Sequence, residues 1–144
     1  MNYVTEAEFR IFVNSDIVDE LLNEYDAGDQ TAKITQVING AEGMIDGYAS
    51  KLYLTPLPKS YWTTDLTNKI AAEQLYISMD GNDIPERIKR SAQEARAILQ
   101  DMMNGFVVPP PGTDGTAVTT VGAGVGISLA SDTAVFDYDS MEGF

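Results

Sequence analysis

Residues 31–53 read TAKITQVINGAEGMIDGYASKLY, and the fold turns on this stretch. Ile34, Val37, Ile38, Ala41, Met44, Ile45, Tyr48, Ala49 and Leu52 recur at three- and four-residue steps, the spacing that lines one face of an α-helix. The pattern predicts one long amphipathic helix from Thr31 to Tyr53. At 1.5 Å per residue it spans about 34 Å, enough to act as the spine for every other helix. Gly40, Gly43 and Gly47 each cost up to about 1 kcal/mol relative to Ala in a helix interior. The expectation is therefore a neighbouring helix that approaches this backbone closely, rather than a break.

Upstream, Thr5 and Glu8 have the spacing of a capping box. They predict a short helix from Glu6 to Phe12 that presents Phe9 and Phe12 on one side. Asn14 or Ser15 caps a second, with Ile17, Leu21 and Leu22 turned inward, and Asp26-Ala27-Gly28-Asp29 reads as the loop that ends the pair. Downstream, Leu54-Thr55-Pro56-Leu57-Pro58 cannot continue a helix. Leu66, Ile70, Ala71, Leu75 and Tyr76 restore helical spacing from Thr64 to Met79. Pro85 suits the first position of a fifth helix, with Ile88, Ala92, Ala95, Leu99, Met102 and Met103 inward and Gly105 as its stop.

Beyond Gly105 the composition changes. Pro109-Pro110-Pro111-Gly112 reads as a stiff extended spacer, and Thr116–Val121, Val125–Leu129 and Thr133–Tyr138 are short strand-like runs between turn signals. Asp114, Asp132, Asp137, Asp139 and Glu142 follow the last basic residue, Arg96. This tail has too few large apolar groups to fold alone. The fold class is thus mainly α: a small bundle of about five helices over 1–105, with an extended C-terminal arm over 106–144 that contains short β-strands.

Composition narrows the function. A chain of 144 residues with 44% hydrophobic content supports one ordinary core. Its 22 Asp and Glu against 9 Lys and Arg leave a net charge of -13, which argues against binding to a phosphate backbone. Cys and His are absent, so thiolate nucleophiles, disulfides, the usual zinc sites and a Ser-His-Asp triad are closed off. The first residues carry no basic and apolar leader pattern, and no apolar run reaches membrane-span length. These observations favour a chain made and used in a cytoplasm, without cofactor or metal, and close off much of common catalysis.

Three constellations invite sharper readings. Gly122-Ala123-Gly124-Val125-Gly126 lacks the Lys-Ser/Thr pair and the helix of a phosphate loop. Glu24, Asp26 and Asp29 do not have the alternation of a calcium loop, and a plain turn is preferred. Tyr53, Tyr61 and Trp62 beside the Pro turn invite reading as a binding platform, but aromatic residues beside a helix junction seal the edge of a core, and packing is the expectation.

The opening Tyr3-Val4-Thr5-Glu6-Ala7-Glu8-Phe9, then Ala41 with Ile45-Asp46-Gly47-Tyr48, Tyr53 and Pro56-Leu57-Pro58, then Ile70-Ala71, Leu75-Tyr76, Pro85-Glu86 and Leu99 before Gly105 carry a resemblance. Over roughly Tyr3 to Gly105 the chain resembles the head-to-tail connector, or adaptor, proteins of tailed bacteriophages, in the Mu-like prophage branch. The resemblance implies a non-enzymatic virion protein of the neck, assembled in the host cytoplasm. Its subunits form a homo-oligomeric ring, dodecameric in relatives, beneath the portal protein. Such a ring extends the channel through which packaged DNA passes without specific binding, and offers a surface to stopper, neck or tail-terminator proteins.

Within that frame, Val118, Val121, Ile127, Leu129, Val135, Phe136 and Tyr138 are the expected anchors on the portal or an adjacent subunit, by strand addition to a sheet edge. Asp16, Asp19, Glu20, Asp26 and Asp29 are candidates to face the channel. The competing readings are a tail-completion or stopper protein of the neck, an acidic module that mimics DNA, and a minor enzyme working through paired carboxylates and a metal.

Overall fold

The computed structural model describes residues 2–80 and 83–121. These described residues contain five helices: α1 (Glu6–Val13), α2 (Ser15–Leu21), α3 (Ala27–Ala49), α4 (Tyr61–Asp80) and α5 (Glu86–Met103).

The expected caps form. Thr5 Oγ1 accepts from the Glu8 amide while the Glu8 carboxylate accepts from the Thr5 amide at 2.9 Å, which satisfies two otherwise unpaired donors at the start of α1. Asn14 caps α2 through the Asp16 amide at 2.9 Å. Phe9 and Leu22 are buried as expected, but Val13 and Val18 take the other inward places, whereas Phe12 is exposed and Ile17 and Leu21 pack against the core only in part.

The long helix starts earlier than its apolar pattern. Asp26 is its N-cap, accepting from the Asp29 amide at 3.0 Å, so Ala27, Gly28 and Asp29 belong to α3 rather than to a loop. A side-chain acceptor at the N-cap replaces the missing backbone partner, and the helix can begin before any apolar residue does. At the other end α3 stops at Ala49. The Leu52 and Tyr53 amides both donate to the Ala49 carbonyl, at 3.0 and 2.8 Å, and this turn swings Tyr53 into the core.

The three glycines overturn the close-packing expectation. Gly40, Gly43 and Gly47 are exposed, and a Cβ at any of them would meet no atom of the described residues within 4 Å. The spine is instead α4. Leu66, Ile70, Ala71, Ala72, Leu75 and Tyr76, together with Thr63, Thr67, Asn68 and Glu73, are all buried. A helix enclosed on every side lies at the centre of its domain, and α4 packs against α1, α3 and α5.

The three long helices run up, down and up. Lys33, Gln36 and Val37, early in α3, share a cleft with Gln74 and Ser78, late in α4. Tyr48, late in α3, lies beside Met103, late in α5. The α4–α5 contact is tied by Arg96, whose guanidinium donates to the buried Glu73 carboxylate at 2.6 Å. α1 rests on α3 and α4.

Pro85 is the N-cap of α5 rather than its first residue. Its C-terminus is a Schellman turn: the Phe106 amide donates to the Asp101 carbonyl at 2.8 Å and the Gly105 amide to Met102 at 3.1 Å, with Gly105 at φ +85°.

Candidate assembly surface

One end of the bundle gathers the C-terminal end of α3, the loop 50–60, the start of α4, the end of α5 and the first part of the tail. Its foundation is the N-terminal segment. Glu42 lies on the inner face of α3, four residues from Ile38 and three from Ile45, and is buried. Its carboxylate accepts from the amides of Asn2, Tyr3 and Val4 at 2.8, 2.7 and 3.2 Å. These three donors have no secondary-structure partner, so a single buried carboxylate does the work of a sheet edge.

Tyr3 carries the contact onward. Its hydroxyl donates to Asp46 and accepts from the Leu57 amide at 2.7 Å, while its carbonyl accepts from Thr64 Oγ1 at 2.8 Å. One tyrosine thus joins α3, the Pro loop and α4. Burial, reinforced by the Asp46 bond, holds its phenol above the usual range. Burial likewise raises the Asp46 carboxyl, with the Glu42 charge adding to it. Nearby, Lys59 Nζ reaches the Glu8 carboxylate at 3.0 Å. The Thr5 amide bond, and then Lys59, hold Glu8 below the ordinary carboxylate range.

The tail begins by folding back across this end. Pro109 and Gly112 are buried, so the spacer lies on the body. A Cβ at Gly112 would come within 2.9 Å of Pro58 Cβ and 3.2 Å of the Lys59 carbonyl, which leaves room for glycine alone. The Thr113 amide donates to the Lys59 carbonyl at 2.9 Å, the Leu54 amide to Thr119 at 2.8 Å and the Val121 amide to Leu52 at 2.8 Å. Thr116–Val121 makes a single antiparallel bridge, Tyr53 to Thr120, instead of the expected strand. Its partner segment 52–54 is too short, and too close to the Pro turn, to propagate a ladder.

Of the expected tail anchors, Val118 is partly buried against the bundle and Val121 is 47% exposed. Ile127, Leu129, Val135, Phe136 and Tyr138 lie outside the described residues, as do the strand-like runs Val125–Leu129 and Thr133–Tyr138 and the glycines 122–126. Of the aromatic trio, Tyr53 is buried and Trp62 packs against the core. Tyr61 departs from the packing expectation: it is 85% exposed at the first position of α4, because the Ser60–Thr63 cap starts the helix three residues earlier than Thr64 and turns position 61 outward.

Tyr61 has company. Phe106 is 80% exposed, Val108 72% and Leu54 56%, all from segments that meet at this end. Sequence reading named Tyr61 only as one of an aromatic trio expected to pack, and it missed Phe106, Val108 and the exposure of Leu54 together with Glu42. The signal for Phe106 and Val108 was available, since apolar residues just past a helix-stopping glycine either staple the turn or face outward. For Glu42 it was a carboxylate in register with Ile38 and Ile45.

The candidate channel residues occupy the opposite end. Asp16, Asp19, Glu20, Asp26 and Asp29 are all exposed, on α2 and the start of α3. Asp19 is paired with Arg10 at 2.9 Å, and Asp26 serves as the cap of α3. Among the described residues no cluster of acidic side chains has the arrangement of a metal site, and no helix is long and apolar enough to cross a membrane.

No curated protein matches the chain. A family model described as "Bacteriophage Mu, Gp36" matches residues 3–126, covering the whole bundle and the folded-back start of the tail. The chain belongs to the bacteriophage Mu Gp36 family, a family of phage structural or morphogenesis proteins.

Proposed function

We propose that the chain is the subunit of a head-to-tail adaptor ring, a non-enzymatic virion protein that docks beneath the portal, extends the DNA channel and presents an attachment surface for stopper, neck or tail proteins. The observation that carries this reading is the coincidence, at one end of the bundle, of the folded-back tail segment 109–121 with exposed Leu54, Tyr61, Phe106 and Val108. Large apolar side chains grouped in this way, beside the root of the arm, suit a protein interface. That end faces the portal. The arm adds its apolar residues to the portal or the neighbouring subunit, and repetition around a ring multiplies weak insertions through effective concentration.

Asp16, Asp19, Glu20, Asp26 and Asp29 then border the channel at the far end, where carboxylates repel the DNA backbone and let it slide. The Arg10 pair makes Asp19 the weakest contributor.

Electron microscopy of the protein alone and with its portal tests the ring. Rings that attach in the full-length chain, and detach when residues 122–144 are removed, are expected. The cut belongs after Val121, because removing residues from 107 onward would also strip the contacts of the tail with Leu52, Leu54 and Lys59. A soluble monomer that never assembles with a portal would overturn the reading. A ring that binds tail components but not the portal would place the chain instead among tail-completion or stopper proteins.

A further inference from the structure

Among the described residues, every backbone hydrogen bond that joins residues 109–121 to the body ends on the loop before α4. The Thr113 amide donates to the Lys59 carbonyl at 2.9 Å, the Leu54 amide to Thr119 at 2.8 Å and the Val121 amide to Leu52 at 2.8 Å. Gly112 packs on the same loop, against Pro58 and Lys59. The root of the arm is therefore only as well placed as that loop.

The loop takes its own position from the N-terminal segment. Among the described residues, Leu57 is the one position from Leu54 to Lys59 whose amide bonds outside the tail, and its acceptor is the Tyr3 hydroxyl at 2.7 Å. Leu57 is buried, so loss of that acceptor strands a donor away from water. The other polar tie on this stretch, Lys59 to Glu8, is an exposed ion pair and holds weakly. Tyr3 is seated from two sides. Thr64 Oγ1 of α4 donates to its carbonyl at 2.8 Å, while α3 supplies Asp46 to its hydroxyl and the buried Glu42 to the amides of Asn2, Tyr3 and Val4. Glu42 hydrogen-bonds to neither the loop nor the tail. A contiguous path thus runs from Glu42 through Tyr3 and Leu57 to Lys59 and Thr113.

We infer that residues 2–4 are a latch whose seating on Glu42 positions the root of the C-terminal arm, with Tyr3 as the positioning residue that transmits it. With the latch seated, the Pro loop holds residues 112–121 beside exposed Leu54, Tyr61, Phe106 and Val108. With the latch released, loop and arm root open together while the helical core stays packed. The bearing of this on assembly rests on the proposed docking role of that end; the coupling is a property of the single subunit.

Residue-resolved hydrogen exchange on the full-length chain tests the latch without a ring or a portal, so its failure is separate from that of the adaptor reading. Tyr3→Phe keeps the aromatic ring and removes only the hydroxyl. The Leu57 and Thr113 amides should then exchange about tenfold faster, with Leu54 and Val121 following. Glu42→Gln should accelerate the same amides, although Glu42 bonds to none of them, and it carries the test alone if Tyr3→Phe does not fold. Leu75→Ala, which opens a void in the buried middle of α4, should accelerate core amides and leave Thr113 and Val121 unchanged, because the arm root opens locally. Thr113 and Val121 unmoved by Tyr3→Phe or by Glu42→Gln would overturn the latch. Equal acceleration of these amides by Leu75→Ala would overturn it too, since the arm root would then only follow global stability.

Discussion

α3 and α4 are the two longest helices and touch along much of their length, yet they solve different problems. α3 keeps one face on the core and turns Gly40, Gly43 and Gly47 outward. α4 has no outward face over its middle turns, where Leu66 to Tyr76 is buried almost without interruption except for partly exposed Lys69 and Gln74. The helix with the stronger apolar periodicity is therefore the peripheral one. Periodicity arises only where part of a helix meets water, so a central helix loses the very signal by which helices are recognised.

The contrast can be broken by truncation. Leu75→Ala in α4 should cost about 3–4 kcal/mol, because the enclosed site cannot collapse around the void. Met44→Ala in α3, at the edge of an open groove, should cost about 1 kcal/mol or less. Denaturant unfolding of the two variants checks this, and equal losses would mean that α4 is no more central than α3.

A second test removes charge from the inner face of α3. Glu42→Leu leaves the Asn2, Tyr3 and Val4 amides without their acceptor and should cost about 3 kcal/mol. Hydrogen exchange should quicken first at residues 2–4. Unchanged protection there would show that the N-terminal segment is held by Tyr3 packing alone.

Enlargement gives the cleanest sign difference. Ala72→Leu, in the fully buried middle of α4, should destabilise by about 2 kcal/mol through overpacking. Gly40→Ala should instead stabilise by up to about 1 kcal/mol, since helix propensity improves and the added methyl meets nothing. Thermal unfolding reads both, and destabilisation by Gly40→Ala would reveal a contact that the isolated bundle does not contain.

The smallest effect is in pH, where two carboxyls act oppositely. Glu8 is held below its ordinary value of 4.5, so its contribution is present above that value and lost as pH falls through the depressed one. Being about half exposed, it should be worth less than about 1 kcal/mol. The stability difference between wild type and Glu8→Gln should vanish on acidification. Asp46 is raised above 3.8, so its contribution is present at low pH and lost as pH rises through the raised value. Relative to Asp46→Asn, the wild type should weaken across that rise. Parallel profiles for the two substitutions would contradict the assigned environments.

Sequence by itself determined a good deal about this protein: five helices, the Thr5–Glu8 box, the Gly105 stop and the change of composition near Val107. Each depends on groups within a few residues of one another, where spacing and backbone chemistry act locally. It also carried the family resemblance, through residues scattered over the bundle. Tertiary structure alone decided which helix is central, that Glu42 is a buried acceptor, that Tyr61, Phe106 and Val108 face outward together, and that residues 109–121 lie across the loop at Pro58 and Lys59. Those outcomes depend on groups some forty to seventy positions apart meeting in space. Burial and exposure of that kind are properties of the packed assembly of helices, and no local pattern encodes them.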